Sequence, residues 1–394
     1  MNKRISLGLA VSLMAIAAAL TFIFTMAFST RRFNEKVSNA DRLAAQYPHL
    51  EELDQTVRKY FYADVNEDSL TDGILKGYVS GLGDRYSNYM SAQGYTENQD
   101  QTAGVYTGIG ITVTQSEHNE ILVVEVAEDG PADKAGIVPN DCIVMVDDLR
   151  VSDDYNAASS AIAGEAGTYV KLQIRGAGSD VLRTISVKRA VIDEKTVTYK
   201  MLENHIGYIR ITKFRSVSVS QFENALSDLQ GKGAVGFIFD VRNNGGGLLS
   251  ALEQMADPLL PEGEIAYATY KDGHRDVILK SDAKMLDMPY VILVNENTAS
   301  ASELFSCALR DYAGAVLVGE KTFGKGIMQT TFPLSDGSGV TLTVATYETG
   351  KTPCYHEIGL APDVPSVLDT ETEDDSQLAD AIKTMNSLLS EHEN

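Results

Sequence analysis

The chain has 394 residues, 44% of them hydrophobic and 22% charged, with a net charge of −22. At roughly 100–200 residues per domain this length accommodates more than one core, and the composition excludes a disordered chain. Fifty-five acidic against 33 basic side chains repel phosphate backbones, so no nucleic-acid partner is expected.

Residues 5–30 (ISLGLAVSLMAIAAALTFIFTMAFST) carry no charge and follow Asn2-Lys3-Arg4. Such a run can cross a hydrocarbon core of about 30 Å and exceeds the apolar part of a cleaved signal. It predicts a transmembrane signal anchor over 1–30, with the body outside the cytoplasm. Residues 31–100 are expected as a helical segment. Leu50, Leu53, Val57 and Phe61 share one helix face, and a second helix fits Glu67 to Gly81.

From 101 to 189 the texture turns to β-branched alternation with glycine punctuation. Two strands precede a short helix opened by Pro131, strands fit 141–151, 168–176 and 182–190, and a helix fits 154–163. This predicts a small β domain. From 190 to 368 strands and helices alternate, and GFIFDV, YVILVN and AVLVGE read as buried strands of a helix-covered sheet. The tail 369–394 begins acidic and ends in a helix with Leu378, Ile382, Met385 and Leu389 on one face. Cys142, Cys307 and Cys354 are odd in number and lack CxxC spacing, which predicts buried thiols and no zinc site.

Four motifs carry chemistry. GEKTFGKG (319–326) approaches a P-loop, but Gly326 stands where a hydroxyl would hold magnesium, and turn and strand follow instead of a helix. It leaves Lys325, flanked by glycines, on a loop after a buried strand. TASASE (298–303) sets Ser300 at a helix start, where capping is the ordinary role. There is no G-x-S-x-G elbow and no histidine in a recognisable triad context, so a serine nucleophile needs another base. A lysine serves where its surroundings disfavour the ammonium, and Lys325 is the candidate. DVRNNGGGLL (240–249) is a glycine turn able to aim a backbone amide at an oxyanion, with an ordinary strand-to-helix turn as the alternative. YTGIGITV (106–113) can form a nest for a carboxylate beside a strand edge open to β-augmentation, or a plain flexible turn.

Taken in order, GIGI with GPADKAGI, GYIRITKF, DVRNNGGGLL, VILVNENTASASE, ALRDY, GEKTFGKGIMQ and GLAPDV resemble the carboxy-terminal processing (tail-specific) serine protease family. KGYVSGLGDRYSNYM (76–90) also resembles that family's segment before its PDZ domain. The resemblance implies a mixed α/β and β fold: a PDZ domain at 101–189 reading a substrate's free carboxyl end, and a crotonase-like (ββα superhelix) core at 190–368. Carried over, it makes Ser300 the nucleophile, Lys325 the general base and Gln329 the residue that positions the lysine. It places the oxyanion donors at the amides of Gly246 and Ala301, and the carboxylate loop at Gly108, Ile109, Gly110 and Ile111. Glu303 and Asp311 become supporting acids, and no metal or cofactor is implied. Relatives use their terminal helices to dimerise, which the stretches 50–62 and 376–390 would suit. Two departures stand out. Gly245 replaces a proline of the glycine turn, and Ala163 stands where an arginine helps couple PDZ occupancy to the active site. A catalytically silent PDZ adaptor at the membrane is the alternative, against which the retained Ser300, Lys325 and Gln329 argue. A crotonase-like acyl-thioester enzyme is a further one, against which the anchor and the PDZ-like domain argue.

Overall fold

The computed structural model describes residues 7–392 apart from 180, 283 and 370–373, in two compact units that divide between Leu75 and Lys76. In the first unit, helix α1 (Leu7–Gln46) is followed by α2 (Pro48–Tyr60) and the start of α3 (Glu67–Ser80). Pro48 at the first turn of α2, and Arg58 with Lys59 in its last, suit the missing N–H groups and the dipole. Phe61 does not continue the helical face as expected. Its extended backbone (φ −66°, ψ 134°) ends the helix. Leu50 and Leu53 are exposed. Among the described residues no helix is long and apolar enough to cross a membrane, so the anchor expected at 5–30 gains no support. Its first two residues lie outside the described ones, and α1 runs on without a break past Arg31 and Arg32 to Gln46.

The second unit starts with β1 (Asn88–Met90) and α4 (Ala92–Ala103). The latter has no apolar periodicity, which is why the sequence does not reveal it. Its end is set by Gly104 (φ 79°), where a Cβ would lie 2.6 Å from Val217 Cγ2. Strand β2 (Val105–Gly108) leads into the expected β domain: β3 (Ile111–Gln115), β4 (Ile121–Val126), α5 (Pro131–Lys134), β5 (Cys142–Val146), β6 (Leu149–Arg150), α6 (Tyr155–Ile162), β7 (Tyr169–Arg175) and β8 (Leu182–Lys188). The antiparallel sheet runs β3-β4-β5-β7-β8, with β6 on β5. Val170, Leu172 and Ile174 alternate into its core, as a one-face-buried strand must. Asp154 caps α6 through the Ala157 amide, and Ala158 and Ile162 close the core. β9 (Ala190–Asp193) returns to pair with β2.

The core follows with β10 (Val197–Met201), β11 (Ile206–Ile211), α7 (Ser216–Gly231), β12 (Gly236–Asp240), α8 (Leu249–Ala256), β13 (Gly263–Tyr270), β14 (Arg275–Ser281), β15 (Tyr290–Val294), α9 (Ala301–Ala313), β16 (Val316–Gly319), β17 (Ile327–Pro333), β18 (Gly339–Thr349), β19 (Val364–Pro365) and α10 (Ser376–His392). Its main sheet runs β10-β11-β12-β15-β16-β19 and is parallel from β11 onward. Both faces are buried, as the continuous apolar runs predict. Phe237 and Phe239 face α7, α8 and α9, while Ile238, Val291 and Leu293 face α10. That corrects the reading of the tail helix: its apolar stripe, including Leu378, Ile382, Met385 and Leu389, covers this chain's own sheet and is not left over for a second copy. A second, antiparallel sheet joins β1, β18, β13 and β14, with β17 on β18.

Candidate active site

Strands β12, β15 and β16 are adjacent and parallel, so the turns leaving their carboxyl ends converge. Those turns carry Gly246, Ser300 and Lys325. Residues 54 and 79 positions apart from Gly246 in the chain thus meet because the strand order places them together.

Ser300 sits at the first position before α9, half-buried, with φ 58° and ψ −119°. An ordinary capping serine has a β-region backbone. A serine at positive φ stores strain on the order of 1–3 kcal/mol, which the surroundings must hold. Three sets of bonds do so. The Thr298 hydroxyl donates to the Val241 carbonyl at 3.0 Å, and the Ala299 amide donates to the Asn244 carbonyl at 3.0 Å. Asn295 and Asn243 bond each other reciprocally, each at 2.9 Å.

Glu303, one turn into α9, is 0% exposed. Its Oε2 accepts the amides of Ser300 (2.9 Å) and Lys325 (2.8 Å), and its Oε1 accepts the Thr322 hydroxyl (2.6 Å) and the Gly324 amide (2.7 Å). A buried carboxylate needs such donors, and here they come from both the Ser300 turn and the Lys325 loop. The loop 320–326 then opens strand β17, as expected, and not the helix a P-loop requires.

Lys325 is half-buried, and burial holds its amine below the ordinary lysine range, with Arg85 adding to the effect. Asp84 and Glu303 pull the other way. Its Nζ lies 4.5 Å from the centre of the Tyr86 ring, and its carbonyl accepts the Tyr347 hydroxyl. Burial pushes the Tyr347 hydroxyl far up, while a bond to the Ser300 side chain pulls it down.

Gln329 lies on β17, and its Nε2 donates to the Thr343 hydroxyl at 3.1 Å. Thr343 in turn donates to Asp84 Oδ2 at 2.6 Å. Gln329 therefore reaches the surroundings of the lysine through a relay. The Gly246 amide donates to Asn244 Oδ1 at 2.9 Å, so it is engaged within its own turn. Gly246 (φ 100°) is pressed against Ser300, and a Cβ there would stand 2.8 Å from the Ala301 nitrogen and 2.9 Å from Ser300 Cβ. Ala301 opens α9, where amides lack intrahelical partners. Asp311 accepts Thr349, Thr352 and Cys307 and fastens α9 to the end of β18.

In the β domain Ile109 is buried in the core, and the carbonyls of Ile109 and Gly110 accept the Ala132 and Ala127 amides. Gly108 ends β2, Ile111 opens β3, and β3 is an edge strand of its sheet. A groove of about 2110 Å³ is lined by Gly110, Ile111, Val126, Lys134 and Arg215, among others, but not by Ser300 or Lys325. Of the cysteines, Cys307 is buried as expected, whereas Cys142 and Cys354 are only half-buried. Sequence reasoning missed Asn244, Tyr347 and the Asp84–Tyr86 turn as parts of the site. Only the third had a signal, the GDRYS stretch, and nothing in it names a partner.

Three family profiles match the chain: Peptidase family S41 over 205–366, PDZ domain over 107–188, and Activating protease CtpB N-terminal domain over 14–94. The chain is 33% identical over 370 residues to the carboxy-terminal processing protease CtpA of Bacillus subtilis, covering 93% of this chain and 78% of that one. It is 33% identical over 311 residues to a carboxyl-terminal-processing protease of Synechocystis sp., covering 77% and 73%. Among solved structures, the photosystem II D1 C-terminal processing protease aligns over 85% of this chain and 90% of that one, at 29% identity and a TM-score of 0.48.

Proposed function

The chain belongs to peptidase family S41, among the carboxy-terminal processing proteases, and is a serine-type peptidase; from that premise we propose that Ser300 is its nucleophile and Lys325 its general base. The observation that carries the assignment is the single buried oxygen, Glu303 Oε2, that accepts both the Ser300 and the Lys325 amides.

The neutral Lys325 amine removes the Ser300 hydroxyl proton as the oxygen attacks the scissile carbonyl. The resulting ammonium gives that proton to the leaving amine. Water then attacks the acyl-enzyme with Lys325 again as base. The Ala301 amide faces the developing oxyanion, and the Gly246 amide joins it after turning from Asn244 Oδ1. In a well-studied protease such a donor lowers the barrier by about 3–4 kcal/mol. Gln329, acting through Thr343, keeps the lysine's surroundings in place.

The substrate is a protein with an apolar free carboxyl end. Its carboxylate would sit at the Gly108–Ile111 loop and its last residues would add to β3. The unpaired edge of β3 and the inward-turned loop carbonyls support this. The repeating strand–helix order of the core supports a crotonase-like architecture. The uncharged run 5–30 supports attachment to a membrane with the body outside the cytoplasm, and a tag at residue 394 protected by the inner membrane would refute it. The exposed Leu50 and Leu53 of α2 support self-association.

The test is cleavage of an unfolded reporter ending in Ala-Ala by the full chain and its Ser300→Ala variant. Cleavage abolished by Ser300→Ala is expected, and cleavage by both would sink the nucleophile assignment. An amidated reporter tail should slow cleavage, and an equal rate would remove the carboxylate reading.

A further inference from the structure

The turn preceding β1 has no role in the chemistry above, yet it stands against the base. Asp84 Oδ2 accepts the Ser87 hydroxyl (2.6 Å) and the Thr343 hydroxyl (2.6 Å), and Oδ1 accepts the Tyr86 amide (3.1 Å). The Ser87 hydroxyl also accepts the Thr343 amide at 3.1 Å, and β1 pairs with β18 from Asn88. The turn is thus built onto β18, the strand that also supplies Tyr347. Its Tyr86 ring lies under Lys325 Nζ at 4.5 Å. On the same ring lies Arg85, its guanidinium 4.7 Å from the Tyr86 centre and 5.6 Å from that of Phe323.

We propose that the Asp84–Ser87 turn is a wall of the active site, in which Tyr86 seats the lysine side chain and Asp84 and Arg85 set its charge from opposite directions. The inference rests on Lys325 being the base and names the residues that tune it. An aromatic face attracts the ammonium, an anion nearby favours it, and a second cation disfavours it. The charged and titratable groups around the lysine come from four elements. The turn brings Asp84, Arg85 and Tyr86, α9 brings Glu303, β18 brings Tyr347, and the loop beyond β18 brings Cys354, whose thiol donates to the Gly326 carbonyl. Glu303 is occupied by four donors, so Asp84 is the acid whose change leaves the Ser300–Lys325 tie intact. Asp84 itself is held ionised. Burial works against it, but Ser87, Thr343, the Tyr86 amide and Lys325 keep its carboxyl below the usual range. It is a positioning residue, and it reaches the Gln329 amide through Thr343.

The experiment is kcat/KM against pH for the full chain on a fluorogenic peptide, comparing the parent with Asp84→Asn, Arg85→Gln, Tyr86→Phe and Lys325→Met. Asp84→Asn should move the acidic limb to lower pH, so that on that flank the rate relative to its own plateau rises roughly three- to tenfold. Arg85→Gln should move the limb to higher pH, and less far because Arg85 is exposed to solvent and salt. Tyr86→Phe keeps the ring but removes the bond from the Arg85 guanidinium to the Tyr86 hydroxyl, so it should move the limb no further than Arg85→Gln does. A limb unmoved by both charge changes, with only the plateau lowered, would reduce the turn to scaffolding and overturn the proposal. Should Asp84→Asn not fold, the Arg85→Gln limb decides alone. Loss of activity in Lys325→Met keeps the base assignment, whereas an active Lys325→Met variant overturns that assignment and the proposal with it.

Discussion

The Ser300 turn and the Lys325 loop share one charged acceptor with no exposure to solvent, whereas the glycine turn beside them holds its amide on a neutral side chain of its own. The first arrangement is stiff. Removing any donor from Glu303 leaves part of a buried carboxylate unsatisfied, so Ser300 and Lys325 stay in register before a substrate arrives. The second can rearrange, since the Asn244–Gly246 bond is one neutral hydrogen bond within a turn and Gly245, having no Cβ, adds backbone freedom. The pairing of the Ser300 and Lys325 turns is therefore fixed in the folded chain, while the glycine turn is held by a bond that can exchange partners.

The stiff half can be broken most sharply at Glu303. Glu303→Gln sets an amide donor against backbone amides that only donate, and leaving a buried group unsatisfied costs about 1–3 kcal/mol. The expected loss is on the order of 100-fold in kcat with a lowered Tm, measured by peptide turnover and calorimetry. An active Glu303→Gln variant would mean that the two turns hold themselves. In the pliable half, Gly246→Ala puts a Cβ 2.8 Å from the Ala299 oxygen and the Ala301 nitrogen at φ 100°. This should lower kcat roughly tenfold with KM nearly unchanged, because the damage falls on groups that face the transition state.

A smaller effect sharpens the comparison through pH. The ammonium cannot accept a proton, and burial holds Lys325 below the ordinary lysine range. Activity should therefore rise with pH along a limb lying below that range, and a steady fall between about pH 6 and 9 in folded enzyme would exclude a lysine base. The smallest effect is expected far from the chemistry. At Gly110 (φ 82°) a Cβ would meet the Ala127 Cβ at 3.1 Å and sit in a conformation side chains rarely adopt. Gly110→Ala should raise KM a few-fold for substrates with a free carboxyl end, and leave kcat on a short amidated peptide unchanged.

Much of the layout was legible from residue patterns. The apolar runs GFIFDV, YVILVN and AVLVGE, short, rich in β-branched residues and bounded by turns, read as strands buried on both faces, and each stops at a turn rich in glycine or small residues. Alternation in TYVKLQIRG marked β7, and Pro131 marked the start of α5. Strands β13 and β14 were hidden, because register shifts between Glu264 and Tyr267 break the alternation of GEIAYATY, whereas GVTLTVATYET opens in clear alternation of valine and leucine with threonine and was legible as a strand. Helix α4 was hidden for the opposite reason, its sequence being polar on every side.

The residues Ser300, Lys325 and Glu303 were visible as types in suggestive places, and the order of motifs assigned the family. Distance between them was not visible. They meet because β12, β15 and β16 lie side by side, an order set by long-range pairing that no local stretch encodes. Tertiary structure alone revealed that Glu303 accepts from both turns, that the Gly246 amide is engaged by Asn244, and that Asp84 and Tyr86 stand beside a lysine more than 200 positions later. The physical reason is the same in each case. Hydrophobic patterning specifies which face of an element is buried, while hydrogen bonds and charge contacts depend on which elements that burial brings together.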